Sequence, residues 1–174
     1  MVRDVLIFWF LLVFDKERRK VMFSEELSGG KLFLRYAWPC AETRKLQGQI
    51  TVDDFEALQV LIDSDGEPET SLLERCFPLA FSSLKKLAEG LGAGDRIWTR
   101  EIVAEYWHCH HGHNGDCEVR LAVFDRVLRD QVVVVDCRGE KIRVVNAYNL
   151  ILKSSDECYI HRSVVIEKSD LSKD

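Results

Sequence analysis

The first two thirds of the chain place apolar residues three or four positions apart, which is the spacing of amphipathic helices. Thr51, with an acid three residues later, predicts the start of one helix. A second helix is predicted over about 70–89, with a kink or break at Pro78, and a third over about 99–112. The apolar run before Pro39 has no clean period, and we expect that proline to end it.

From about residue 115 the pattern changes to that of β-strands. Val119, Leu121 and Val123 alternate with charged or small residues, and 132–135 is a continuous run of valines. Five or six short segments of this kind follow one another, separated by polar turns. Strands at such regular spacing predict a small closed barrel.

The two patterns together predict an α+β fold, in which a helical N-terminal domain is followed by a small all-β, OB-like barrel. We place the mainly helical domain at residues 22–114 and the β-barrel domain at residues 115–170, with the boundary at about 113–116. The boundary lies where the hydrophobic period changes from that of a helix to that of a strand.

An apolar N-terminal stretch, residues 1–21, precedes the helical domain. Residues 5–14 are ten unbroken apolar side chains, whereas a membrane-spanning helix takes about 20. The small-residue cleavage site of a signal peptide is missing from this stretch. Three interpretations stay open: a buried strand, an interfacial anchor, or a translation start placed upstream of a natural start at Met22. In the third case residues 1–21 are not part of the native protein. Contact with a membrane is therefore expected only if residues 1–21 are native.

Composition and charge exclude some classes of function. Of 174 residues, 47% are hydrophobic, which is enough to bury a core. The formal net charge of -5 disfavours nucleic-acid binding, because phosphate recognition needs a basic face. The six cysteines are scattered without a CxxC pair, so we expect reduced thiols and a cytoplasmic protein.

One segment has the composition of a metal site. Four of the five histidines and two cysteines lie within residues 108–117, and imidazole and thiolate suit zinc, nickel, copper or iron. Glu101, Glu105 and His108 would share one face of the preceding helix. The predicted metal ligands are His108, His111, His113 and Glu105.

The same segment also has a simpler interpretation. It matches no standard zinc spacing, and histidines at a helix end are favourable against the helix dipole without any metal. The chain contains no GxSxG, Walker, GxGxxG or HExxH motif. Cys109 or Cys117 beside an imidazole could form a nucleophile, but nothing supplies an orienting third group. We therefore expect a protein that is not an enzyme.

The last third of the chain carries a pattern of small features. A cysteine leads into the first strand (CEVRLAVFDRV), a hairpin follows (VVVDCRGEKIRVVNAYNLIL), and a closing segment ends the module (SDECYIHRSVVIEK). Laid end to end, these stretches resemble the HypC/HupF-type hydrogenase-maturation chaperones. The matching positions are Cys117 at the cysteine, Asp136 and Gly139 at the hairpin, Asp156 at the closing turn and His161 at the histidine.

This chain departs from that family in three places. Family members carry the cysteine at the mature N-terminus, whereas Cys117 is internal. The proline that usually follows the first residues is missing, and Arg162-Ser163 replaces an Ala-Gly pair after the histidine. The stretches LFLRYAWPC and EYW in the front half also resemble an uncharacterised family, and that resemblance carries no activity with it.

The chaperone resemblance implies an accessory role in nickel–iron hydrogenase maturation. The implied partner is the hydrogenase large subunit or a maturation scaffold protein, and the implied metal contact is Cys117, because thiolate is a soft ligand. His161 would be a second contact. The metals that such a site suggests are iron, nickel or zinc.

Two other classes of function stay open. A stand-alone metal-binding protein, or a metal-dependent enzyme, would draw its ligands from the cluster at residues 101–117. A barrel that binds nucleic acid is the second alternative, which the acidic balance of the chain disfavours.

Overall fold

The computed structural model describes residues 27–112 and 117–169. They form two compact units, a helical unit over Glu26–Glu118 and a β unit that begins at Val119. Five helices precede five strands in the described ranges, so the predicted α+β class is confirmed. The predictions for residues 1–21 and for His113 lie outside the described residues.

Two of the predicted helix starts are confirmed by their capping contacts. The Thr51 hydroxyl accepts the backbone N–H of Asp54 at 3.1 Å, and the Thr99 hydroxyl accepts that of Ile102 at 3.4 Å. The helices of the unit are α1 (Gly29–Leu46), α2 (Val52–Ser64), α3 (Thr70–Cys76), α4 (Pro78–Gly90) and α5 (Arg100–Glu105), and a π-helical turn (Tyr106–His110) continues α5.

Pro78 separates two helices, whereas Pro39 lies within one helix. Pro78 divides the predicted second helix as expected: α3 ends at Cys76, and the proline begins α4, where its missing N–H is not needed. The expectation for Pro39 was wrong, because this residue lies inside α1. Eleven buried residues of α1 stabilise the helix through tertiary contacts, which offset the backbone hydrogen bond that a proline removes.

The centre of the helical unit is aromatic. The Phe33 ring lies 5.4 Å from that of Trp98, 5.5 Å from that of Trp107 and 6.1 Å from that of Phe77, measured between centroids. Such tilted and edge-on arrangements are favourable for aromatic rings. In the part of the chain that the structure describes, no helix has the length and apolar character needed to cross a membrane.

The β unit is a closed antiparallel sheet with one parallel pair. The strands are β1 (Val119–Arg129), β2 (Val132–Cys137), β3 (Glu140–Val145), β4 (Glu157–His161) and β5 (Val164–Lys168). Strand β1 pairs with both β2 and β4, while β3 and β5 pair in parallel through Val145 and Val164. The closed order is β1-β2-β3-β5-β4.

Turn chemistry and alternation explain these strands. Arg138 and Gly139 both have positive φ, at 58° and 82°, as a two-residue hairpin of type I′ requires. The Asp136 carboxylate accepts the backbone N–H of Gly139 at 2.9 Å. The apolar face of the strands forms one core, made of Ala122, Phe124, Val133, Val135, Cys137, Val144, Cys158, Ile160 and Val165.

Gly29 offers a test of the packing around α1. A Cβ atom at this position would overlap the carbonyl oxygen of Trp98, whereas nothing lies within 4 Å of a Cβ at Gly90, the last residue of α4. We expect Gly29→Ala to lower the free energy of unfolding by about 1–3 kcal/mol. Gly90→Ala should leave it unchanged or raise it by up to about 1 kcal/mol. Denaturant unfolding of both variants checks this, and equal effects would contradict it.

The β core offers a second test. Ile160 is 0% exposed and Ile151 is 71% exposed, and both lie in the β unit. We expect Ile160→Ala to destabilise the unit by about 2–5 kcal/mol, because the deletion leaves a cavity, and Ile151→Ala to cost less than about 0.5 kcal/mol. Urea unfolding followed by circular dichroism measures both values. An Ile160 variant as stable as the Ile151 variant would refute the assigned core.

Candidate functional site

Helix α1 carries two chemically active side chains on one face. Tyr36 and Cys40 are four positions apart, so they lie one above the other on the helix. Tyr36 is fully buried, and Cys40 is half-buried. The position of Tyr36 in the core therefore determines where the Cys40 thiol lies.

Cys117 lies beside Cys40 in the helical unit. Their sulfur atoms are 3.8 Å apart, although 77 positions separate the two residues. Gly112 adopts φ +46°, in the left-handed region that favours glycine. A Cβ atom at Gly112 would be 2.9 Å from the carbonyl oxygen of Cys117, so only glycine allows this close approach. The six cysteines, all within the described ranges, are present as thiols.

The π-helical turn positions two histidines by hydrogen bonds to tyrosines. The Tyr36 hydroxyl lies 2.7 Å from Nε2 of His108, and the Tyr106 hydroxyl lies 3.2 Å from Nδ1 of His111. Trp107 connects the two pairs, because its ring stacks on Tyr36 at 5.4 Å and lies 4.1 Å from the His111 ring. Single π-helical turns inside α-helices occur frequently at functional sites.

The electrostatics of this region differ between its buried and exposed sides. Burial raises the pKa of Tyr106 to about 12, and the nearby Cys40 adds to the shift, so the phenol is protonated at neutral pH. Cys109 is exposed, and partial desolvation followed by the neighbouring Glu105 raises the pKa of its thiol. Since the thiolate is the reactive form, Cys109 is a poor nucleophile at neutral pH.

The predicted histidine and glutamate ligands do not converge in the described ranges. Glu105 contacts His110 at the surface, with 3.4 Å between Oε1 and Nε2. Among residues 27–112 and 117–169, Glu105, His108 and His111 belong to no group of three ligand atoms within 4.8 Å of one another. His113 lies outside those ranges, so the complete predicted set stays a prediction.

His161 has a defined place in the β unit. It is the last residue of β4, where it pairs with Val119 of β1 and Val164 of β5. Its side chain is fully buried, which is unusual for histidine. The predicted roles of Cys117 and His161 as metal or partner contacts stay predictions.

Cys40 was not among the site residues predicted from the sequence. The expectation that Pro39 ends the apolar run placed Cys40 outside any helix, so its shared face with Tyr36 was not visible. Cys40 and Cys117 each offer one sulfur ligand within 4.8 Å of the other, so this pair could hold a metal ion. Cys40 could have been found only by extending the helix through Pro39, and the low helix propensity of proline argues against such an extension.

No protein-family model, curated protein or solved structure matches this chain. The resemblance to hydrogenase-maturation chaperones therefore rests on the residues quoted for it.

The tyrosine–histidine contact allows a matched comparison on one turn. His108 forms a hydrogen bond with the buried Tyr36 hydroxyl, whereas the His110 side chain is 49% exposed and lies beside the surface carboxylate of Glu105. We expect His108→Ala to lower the free energy of unfolding by about 1–3 kcal/mol, because a buried hydroxyl loses its hydrogen bond. His110→Ala should cost less than about 1 kcal/mol. Chemical denaturation measures both, and the reverse order would disprove the structural role of His108.

Proposed function

We propose that this protein is a non-catalytic accessory factor in nickel–iron hydrogenase maturation, which binds a partner protein and a metal centre through Cys117. The hydrogenase assignment follows from the resemblance of the last third of the chain. The observation that supports metal handling is the contact between the Cys117 and Cys40 sulfur atoms at 3.8 Å. Two adjacent thiols form a soft donor set that suits iron, nickel or zinc.

The position of Cys117 supports the same function. It is half-buried and lies two residues before β1. In the family that the segment resembles, a cysteine likewise leads into the first strand. A half-buried thiol is accessible to a partner or an incoming ion. Cys117 therefore suits a reversible contact with a partner protein or a metal centre during maturation.

The strand order of the β unit supports the predicted OB-like fold of this part of the chain. Five strands close in the order β1-β2-β3-β5-β4, and a five-stranded Greek-key barrel is the architecture of the OB-fold. His161 is assigned a contact by the resemblance alone. Because its side chain is fully buried, a role toward a bound ion suits it better than direct contact with a partner surface.

The proposal is tested by an anaerobic affinity pull-down from the source cells with wild type, Cys117→Ala and the control Cys109→Ala. We expect a hydrogenase large subunit or maturation scaffold to co-purify with wild type and with the control. The Cys117 variant should lose that partner, because the soft ligand is removed. Cys109 is a suitable control because it is an exposed cysteine of the same unit.

Two results would reject this function. Retention of the partner by the Cys117 variant would show that the contact lies elsewhere. Protein without a partner, carrying stoichiometric metal in all three forms, would favour the stand-alone metal-binding protein instead.

A further inference from the structure

We infer that Cys40 is the second sulfur ligand of the Cys117 site, so that one metal ion with affinity for thiolates binds between the two sulfur atoms. This inference rests on the proposed metal contact at Cys117 and extends it to a residue outside the segment that resembles the chaperones. Both sulfur ligands lie in the helical unit.

The spacing of the sulfur atoms is the first argument. A tetrahedral ion with metal–sulfur bonds of about 2.3 Å places two sulfur ligands about 3.8 Å apart. The observed Sγ–Sγ distance is 3.8 Å. A disulfide would require about 2.05 Å, so an ion fits between the thiols at their present spacing, whereas a disulfide would require them to move.

Preorganisation is the second argument. Cys40 follows Tyr36 by one turn of α1, and Tyr36 is fixed by its stack on Trp107 and by its 2.7 Å hydrogen bond to His108. The backbone of Cys117 packs closely against Gly112. The two sulfur atoms lie 3.8 Å apart, and ligands already at this spacing reduce the ordering cost of binding.

The ligand type determines the class of ion. Thiolates select zinc, iron, nickel or copper(I) over magnesium and calcium, which prefer oxygen ligands. Ion binding also requires both thiols to lose their protons.

The test is an anaerobic titration of the reduced full-length protein with Co²⁺, followed by displacement with Zn²⁺. Thiolate-to-cobalt charge-transfer absorption in the near ultraviolet increases with the number of sulfur ligands. We expect wild type and Cys109→Ser to show the intensity of two sulfur ligands at one ion per chain, lost on addition of Zn²⁺. Cys40→Ser and Cys117→Ser should each show about half of that intensity or lose binding.

A second measurement needs no variant, so it does not depend on the folding of a mutant. Alkylation of the wild-type protein, read cysteine by cysteine by mass spectrometry, should show that Zn²⁺ protects Cys40 and Cys117 together. The exposed Cys109 should be alkylated equally with and without Zn²⁺. Protection of Cys117 without Cys40 would overturn the inference.

The outcomes separate this inference from the proposed function. If Cys40→Ser keeps the full cobalt absorption and Cys117→Ser loses it, the second ligand is wrong and the contact at Cys117 stands. If absorption depends on both cysteines but no partner co-purifies, the two-sulfur site stands and the hydrogenase role falls. If wild type shows no thiolate absorption and no zinc protection, the metal site is rejected for both cysteines.

Discussion

The stack of Tyr36 on Trp107 is the contact on which the rest of the helical unit depends. The two rings are nearly parallel, at 13°, with centroids 5.4 Å apart, and both side chains are buried. This stack joins α1, near the start of the unit, to the π-helical turn near its end. The Tyr36 hydroxyl then fixes His108, and the next turn of α1 presents Cys40. This aromatic contact thus connects α1, which carries Cys40, to the turn that carries His108.

The backbone near Gly112 is the second constraint on the site. Its left-handed conformation and close approach to Cys117 are possible because glycine has no side chain. Two tyrosine–histidine hydrogen bonds, Tyr36 to His108 and Tyr106 to His111, lie in the same unit as the cysteines. Buried hydrogen bonds of this kind rigidify a core. A rigid surrounding with two half-buried thiols is suited to holding an ion without first reorganising the chain.

Helix starts and breaks were predicted correctly where they depend only on residues adjacent in sequence. The helix starts at Thr51 and near residue 99 and the break at Pro78 each depend on a few adjacent residues, and each was predicted correctly. The error at Pro39 arose because burial along α1 outweighs the local cost of a proline, and burial depends on distant residues. The same error concealed Cys40, whereas Cys117 was singled out by the residues around it.

The sequence by itself determined that this chain has helices followed by strands, where most of these begin and end, and that soft metal ligands concentrate near residues 108–117. These properties follow from hydrophobic period, caps, turns and composition, all of which act over short separations. Only the tertiary structure decided which ligands meet. It turns Glu105 toward His110 at the surface, commits His108 to Tyr36, and brings Cys40 to Cys117 across 77 positions. Such pairings depend on how helices pack, and packing is decided by the whole core rather than by neighbours in sequence.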